Sequence, residues 1–404
     1  MASVQALMAL SIDIMLPALG HISNELGVSD PNQRQLVIGV FVTCAGIGSL
    51  FPGALADRFG RRRIVLCATA GQVVTTFICA IAGSFDLLLA ARALAGLLTA
   101  AMMVMPMTIL RDRYEGDMMA RTQSLIAMTF MVVPMIAPMI GQAIMLVAGW
   151  RWIFGVTCVM GAVVLIWAWL RLPETLAPEN RQEVRPRTIA SNMGKALSER
   201  TSLGYFLGAA LVQGGMFGYL NSAQQLVGEA LGAGTLFPVL FGTMAAIMAV
   251  TNFVNSRIVV SFGARRVSHA ALLVLIVISM VHAVIAWSGP ESLWIFVPLM
   301  TIAMCMMSFI GANFQSLSLQ PFARIAGAAA SIMTFVRLVV GSLLGSAIGL
   351  IFDGTALPVT GGMSLLGAIA LLLVLYSERG RLFRRINPPE YYRVNQPPAQ
   401  TPAN

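Results

Sequence analysis

The sequence predicts an all-helical membrane protein that crosses the bilayer twelve times, as two bundles of six helices. Three observations predict this. Hydrophobic residues make up 57% of the 404 and charged residues only 11%, where soluble domains carry about 25% charged residues. Twelve apolar runs approach or exceed the ~20 residues that a helical span requires. One long polar stretch divides the runs six and six. So much apolar surface needs a covering other than water, and lipid supplies it.

The first six runs lie near 1–20, 35–56, 64–83, 86–110, 122–148 and 152–171. The second six lie near 203–228, 234–256, 267–288, 293–318, 325–351 and 355–378. The expected organisation is a bundle over 1–171, a cytoplasmic linker over 172–202, a second bundle over 203–378 and a cytoplasmic tail over 379–404. The tail ends in Pro397, Pro398 and Pro402 and reads as disordered. The first run starts at Met1 with no basic flank. Twenty residues give about 30 Å of helix, barely the hydrocarbon thickness, so the native start is expected upstream or the chain is shortened. There is no basic leader or small-residue cleavage site, so insertion is expected to rely on the spans themselves.

A net charge of +9 taken alone suits a nucleic-acid partner. Its distribution argues for a membrane instead. With both termini cytoplasmic, all but four of the 26 Lys and Arg fall in cytoplasmic segments, as the positive-inside rule requires of an even number of spans. The exceptions are Arg34 and Arg151 in outer loops, and Arg92 and Arg337 within spans. No nucleic-acid partner is expected. Cys44, Cys67, Cys79, Cys158 and Cys305 are scattered through apolar runs and form neither a disulfide framework nor a metal pattern. Trp150, Trp152 and Trp294 stand near helix ends, where tryptophan anchors at the headgroups.

Ionisable groups at bilayer depth cost a few kcal/mol each and point to function. Three qualify: Asp13, Arg92 and Arg337. Asp13 and Arg92 both lie about 10 Å below the outer boundary at a helical rise of about 1.5 Å per residue. They meet if the first and fourth spans are neighbours, either as a structural pair or as a proton-coupling pair. A carboxylate whose proton affinity switches with access is what a proton-coupled carrier needs. Pro17 removes a backbone donor one turn later and loosens the helix there. Arg337 has no acid at its depth in the second half; it faces an aqueous cavity, pairs across to Asp13, or bonds carbonyls.

The seventh span carries Gln213, Phe217, Asn221 and Gln224 on one face. The tenth holds Ser308, Asn313 and Gln315 near Met304 and Met307. These groups read as cavity-lining, and 26 methionines suit a wall that adapts to varied ligands, although plain packing explains a methionine stripe as well.

Residues 53–63 read Gly-Ala-Leu-Ala-Asp-Arg-Phe-Gly-Arg-Arg-Arg. This resembles the signature loop between helices 2 and 3 of the major facilitator superfamily. The resemblance implies a conformational latch between the halves, built from Gly53, Asp57, Arg58, Gly60 and Arg61. Gly53 would permit close helix approach, Asp57 would face the N-terminus of the eleventh span near Ile325, and Gly60 would allow the tight turn. The counterpart near Phe262-Gly263-Ala264-Arg265-Arg266 has Val260 in place of the acid, so any latch is asymmetric. Arg92 followed by Gly96 resembles the family's fourth-helix motif, which implies a role in proton coupling. Pro134, Pro138 and Gly141 resemble the antiporter motif of the fifth helix, although Ala137 and Gln142 replace two of its glycines. Two prolines on one face bend that helix, and Gly341, Gly345 and Gly349 are expected to answer it from the eleventh.

Leu10 to Leu19, Ile22-Ser23, Leu110-Arg111-Asp112 and Asn255-Ser256-Arg257 resemble the bicyclomycin-resistance/CflA-type drug:proton antiporters. The resemblance implies a monomer in a bacterial inner membrane that exports small, mostly apolar compounds. It implies protons and lipid as partners, and a proton gradient in place of a cofactor. An uptake symporter or a metabolite exporter on the same fold is the alternative. No nucleotide loop or HExxH pattern is present and His21, His269 and His282 are scattered, so no enzyme is expected; no filter segment suggests a channel.

Overall fold

The computed structural model describes residues 1–113, 132–133, 135–176, 194 and 198–384. Among them there is no strand. A bilayer interior offers the backbone no hydrogen-bond partner, so each crossing segment must satisfy its own amides and carbonyls as a helix. Among the described residues ten helices are long and apolar enough to cross, and a bent pair makes an eleventh. The fifth predicted span is described as a continuous helix only from Met135, and most of the predicted linker and tail, with Pro134, lie outside the described residues.

The first span runs from Ala2 to Glu25, longer than the sequence suggested. It is broken: α1 (Ala2–Asp13) gives way to a tight turn at Leu16–Ala18, then α2 (Leu19–Glu25). Pro17 causes the break, having no N–H to give the carbonyl four residues back. The second span is α3 (Leu36–Gly48) and α4 (Pro52–Phe59), bent by 50° where Pro52 interrupts the ladder. There follow α5 (Arg61–Ala80), α6 (Phe85–Arg113), α7 (Met135–Ala148) and α8 (Trp150–Arg171). The second half holds α9 (Arg200–Ala223), α10 (Phe237–Phe262), α11 (Ala264–Ser288), α12 (Leu293–Leu319), α13 (Ala326–Leu350) and α14 (Leu357–Ser377). A π-helical turn over Gln224–Ala230 extends α9.

Within the first half α3 and α5 pack on α6, and α8 on α5; within the second, α13, α14 and α12 surround α9, and α11 packs on α12 and α14. The halves meet where α3 lies along α13. There the Thr43 hydroxyl donates to Ser342 Oγ (2.9 Å), which donates to the Gly39 carbonyl (2.8 Å). A Cβ at Gly46 would come within 2.8 Å of Val339, and one at Gly242 of α10 within 2.6 Å of the Met135 carbonyl on α7. Small residues thus set the approach of the halves. Among the described residues, no hydrogen bond or ion pair joins the halves at the end of the molecule where α5 and α11 start and α14 finishes.

The glycine stripe on α13 does not answer α7. Gly341 and Gly345 admit Gln213 and Phe217 of α9, and Gly349 admits Gln35. Gly141 of α7 instead presses on the broken first span, where a Cβ would collide with the Ile14 carbonyl. Trp152 and Trp294 are exposed as anchors should be, but Trp150 is buried and donates to Glu25.

Candidate functional site

Asp13 ends α1 at the break and is only 7% exposed. Its carboxylate has no hydrogen-bond or ion-pair partner among the described residues. Arg92 of α6 is also buried but does not pair with it. Arg92 donates from Nε to the Val37 carbonyl and from Nη1 to the Ser11 carbonyl, 3.1 Å each, and its guanidinium lies 4.0 Å from the Phe41 ring centroid. The arginine therefore ties α1, α3 and α6 together, and backbone oxygens plus a π face take the place of the expected carboxylate. Beside it Gln72 of α5 donates to Ser11 Oγ (3.1 Å) and accepts from Thr99 Oγ1 (2.8 Å). The result is a buried polar seam adjoining an unpaired acid.

In the second half the predicted cavity residues part company. Asn313 donates to Asn255 Oδ1 of α10 (2.9 Å) and to the Phe309 carbonyl, which makes it an interhelical clamp. Phe217 is buried against Gly345. Asn221 is 2% exposed, and neither of its amide atoms has a protein partner among the described residues. Among the described residues the Gln213 amide makes only a long contact with the Met216 sulfur (3.8 Å). Arg337 lines a small cavity of about 20 Å³ between α9, α12 and α13.

Gln224 belongs to a polar bridge between the halves that the sequence did not announce. Arg34 is 5% exposed and forms a two-pronged bridge to Glu229, Nη1 to Oε1 at 2.9 Å and Nη2 to Oε2 at 2.8 Å. Gln224 donates to the same carboxylate (3.0 Å). Gln35 donates to Gln225, Gln225 to Asn32, and Asn32 to the Phe352 carbonyl (2.8 Å). A planar guanidinium matched to a carboxylate is the strong form of such a bridge. It closes the first half against the second at one end of the molecule. The only hint in the sequence was that Arg34 is one of two basic residues on a face otherwise poor in them.

At the opposite end the signature loop folds upon its own half. Gly60 adopts φ +96°, and Gly263 of the second half repeats it at +87°, a backbone region that side chains avoid. Arg61 bridges Asp57 (2.5 Å) and Asp112 (3.1 Å), and its backbone N–H donates to Glu174 (2.9 Å). Asp57 thus faces Arg61, not the start of α13. Arg58 is exposed over Phe59. A Cβ at Gly53 would meet nothing within 4 Å, so this glycine marks no close approach in this conformation. In the second half Glu378, just past α14, supplies the acid missing at Val260: Arg265 Nε donates to it (2.8 Å), as does the Tyr205 hydroxyl (2.7 Å). Glu174 follows α8 as Glu378 follows α14, and that parallel was the available signal. Pro138 and Gly141 are buried; Pro134 lies outside the described residues.

A family model for the Major Facilitator Superfamily matches residues 1–346. An uncharacterized MFS-type transporter of Bacillus subtilis, YdgK, is 28% identical over 360 residues, covering 86% of this chain and 87% of that protein. The bicyclomycin resistance protein homolog of Haemophilus influenzae is 28% identical over 371 residues, 90% of each. Among solved structures, a bacterial homolog of the human lysosomal transporter Spinster, in an inward-facing and unoccupied conformation, superposes with a TM-score of 0.71 over 94% of this chain and 93% of that one, at 17% identity. Together with the helical architecture, these matches show that the chain belongs to the Major Facilitator Superfamily and is a multi-pass membrane transporter, not an enzyme.

Proposed function

We propose that this transporter is a drug:proton antiporter that exports small, mostly apolar compounds by alternating access. The observation that carries the reading is Asp13: a buried carboxyl at a helix break, without a protein partner among the described residues. A group so placed can trade a proton with whichever side the cavity opens to, because nothing in the protein competes for it. Arg92 is engaged by the Val37 and Ser11 carbonyls and not by this acid, which leaves Asp13 free to exchange with substrate. The relatives named for bicyclomycin and multidrug resistance support export. In this reading the chain is a monomer in a bacterial inner membrane with both termini cytoplasmic, and the proton gradient is its energy source. The Arg34–Glu229 bridge then closes the outer side, and Arg61 with Asp57 and Asp112 is the latch in its released form.

The test reconstitutes the purified chain in liposomes with an acidic lumen and follows lumenal pH as antibiotics and dyes are added. Substrate-driven proton efflux in wild type that is lost in Asp13→Asn is the expected result. Full coupling in Asp13→Asn sinks the mechanism, and proton movement accompanying substrate in the same direction assigns uptake by symport instead.

A further inference from the structure

Arg337 presents a charge problem that the packing does not solve. It sits in the middle of α13, twelve residues beyond Ile325. Between Glu229 and Glu378 the chain contains only two acids, Glu291 and Asp353, and both lie in connections between helices. Glu229 and Glu378 are engaged by Arg34 and Arg265. No hydrogen bond or ion pair to the Arg337 side chain is formed among the described residues, in contrast to Arg92, which has two carbonyls and an aromatic face. A guanidinium carries five donors, and those of half-buried Arg337 are left without a protein partner among the described residues, beside the cavity that the side chain lines.

The side chain lines a cavity of about 20 Å³ between α9, α12 and α13. Beside it stand the Thr334 hydroxyl and the exposed amide of Gln315, with Phe206 and Met333 as apolar wall. That volume holds about one or two small polar atoms, the size of a carboxylate edge. The surroundings are neutral polar groups on one side and apolar groups on the other. Such a site favours an anionic head whose apolar body lies outside the cavity, and an arginine fork matches a carboxylate in two parallel bonds.

We propose that Arg337, with Gln315 and Thr334, is an anion-recognition site that selects transported amphiphiles bearing a carboxylate. The proposal rests on the transporter reading but not on its direction or on proton coupling. It is tested by binding: melting curves of the purified full-length protein in lipid nanodiscs, titrated with 1-naphthaleneacetate, with its methyl ester, and with sodium chloride at equal ionic strength. Wild type is expected to be stabilised by the acid more than by the ester. In Arg337→Gln the apparent affinity for the acid should fall about 10- to 100-fold, with affinity for the ester unchanged, and Arg337→Lys should recover part of the loss. Equal loss for acid and ester, or no preference for the acid in wild type, overturns the site. Stabilisation by chloride that matches the acid, and depends on Arg337, assigns an inorganic counter-ion and overturns the substrate assignment. The lysine variant, which keeps the charge, serves where the glutamine variant fails to fold. A failure of Asp13→Asn to alter coupling leaves these outcomes unaffected.

Discussion

Glu291 lies in the connection between α11 and α12, with its side chain 3% exposed and Oε1 2.8 Å from His282 Nε2. Burial pushes this carboxyl up from an ordinary 4.5 to about 7. The folded protein therefore holds the proton more tightly than the unfolded chain does. The stability that Glu291 contributes is full below about pH 4.5 and is lost as pH rises towards about 7. Glu291→Gln keeps the shape and removes the titration. It is expected to flatten the melting profile between those pH values and to raise the melting temperature above pH 7 relative to wild type. Melting followed by tryptophan fluorescence across pH checks this. An unchanged slope in the variant would place the pH dependence elsewhere.

Two glycines of the resemblance motifs separate at the level of elements. Gly141 on α7 rests on the Ile14 carbonyl, next to Pro17, so the helix-breaking proline of the first span and the glycine of the fifth form one contact. Gly141→Ala must push the two helices apart. It is expected to cost about 1–3 kcal/mol and to lower transport. Gly53 meets nothing within 4 Å, and Gly53→Ala should leave the melting temperature unchanged or slightly raised, since alanine favours a helix by about 0.5–1 kcal/mol over glycine. Melting temperatures of the two variants, measured side by side, decide it. Equal destabilisation would show that Gly53 is also packed in the conformation that prevails in solution.

For the whole molecule, the decisive contact is the closure between halves. Arg34 is buried and Glu229 half-exposed, so removing the acid leaves a nearly buried cation without its match. Glu229→Gln should shift the population toward states open at that end. A cysteine introduced at Ser342, in a background without the five native cysteines, should then react with a membrane-impermeant maleimide about tenfold faster than in the otherwise unaltered background. Unchanged labelling would mean that the α3–α13 contact closes the molecule without the bridge.

The sequence by itself determined eleven of the twelve predicted spans among the described residues, because a bilayer forces an apolar run of sufficient length into a helix that satisfies its own backbone. It also made legible the turn at Gly60, since glycine permits the positive φ found there, and the break near Pro17, since proline lacks the donor. What it left open is which charge meets which. Asp13 and Arg92 stand at similar depth in the sequence, yet the arginine goes to the Val37 and Ser11 carbonyls and the Phe41 ring. Arg34 and Glu229 are 195 residues apart and bridge the two halves; Glu378 supplies the acid that the loop after α10 lacks; Asn313 finds Asn255. These choices depend on helix rotation and on which neighbours come close, and both are set by small residues such as Gly46, Gly141 and Gly242 on facing helices. Depth is encoded locally, at a fixed rise per residue, whereas pairing is a property of the packed bundle, and only the tertiary structure decided it.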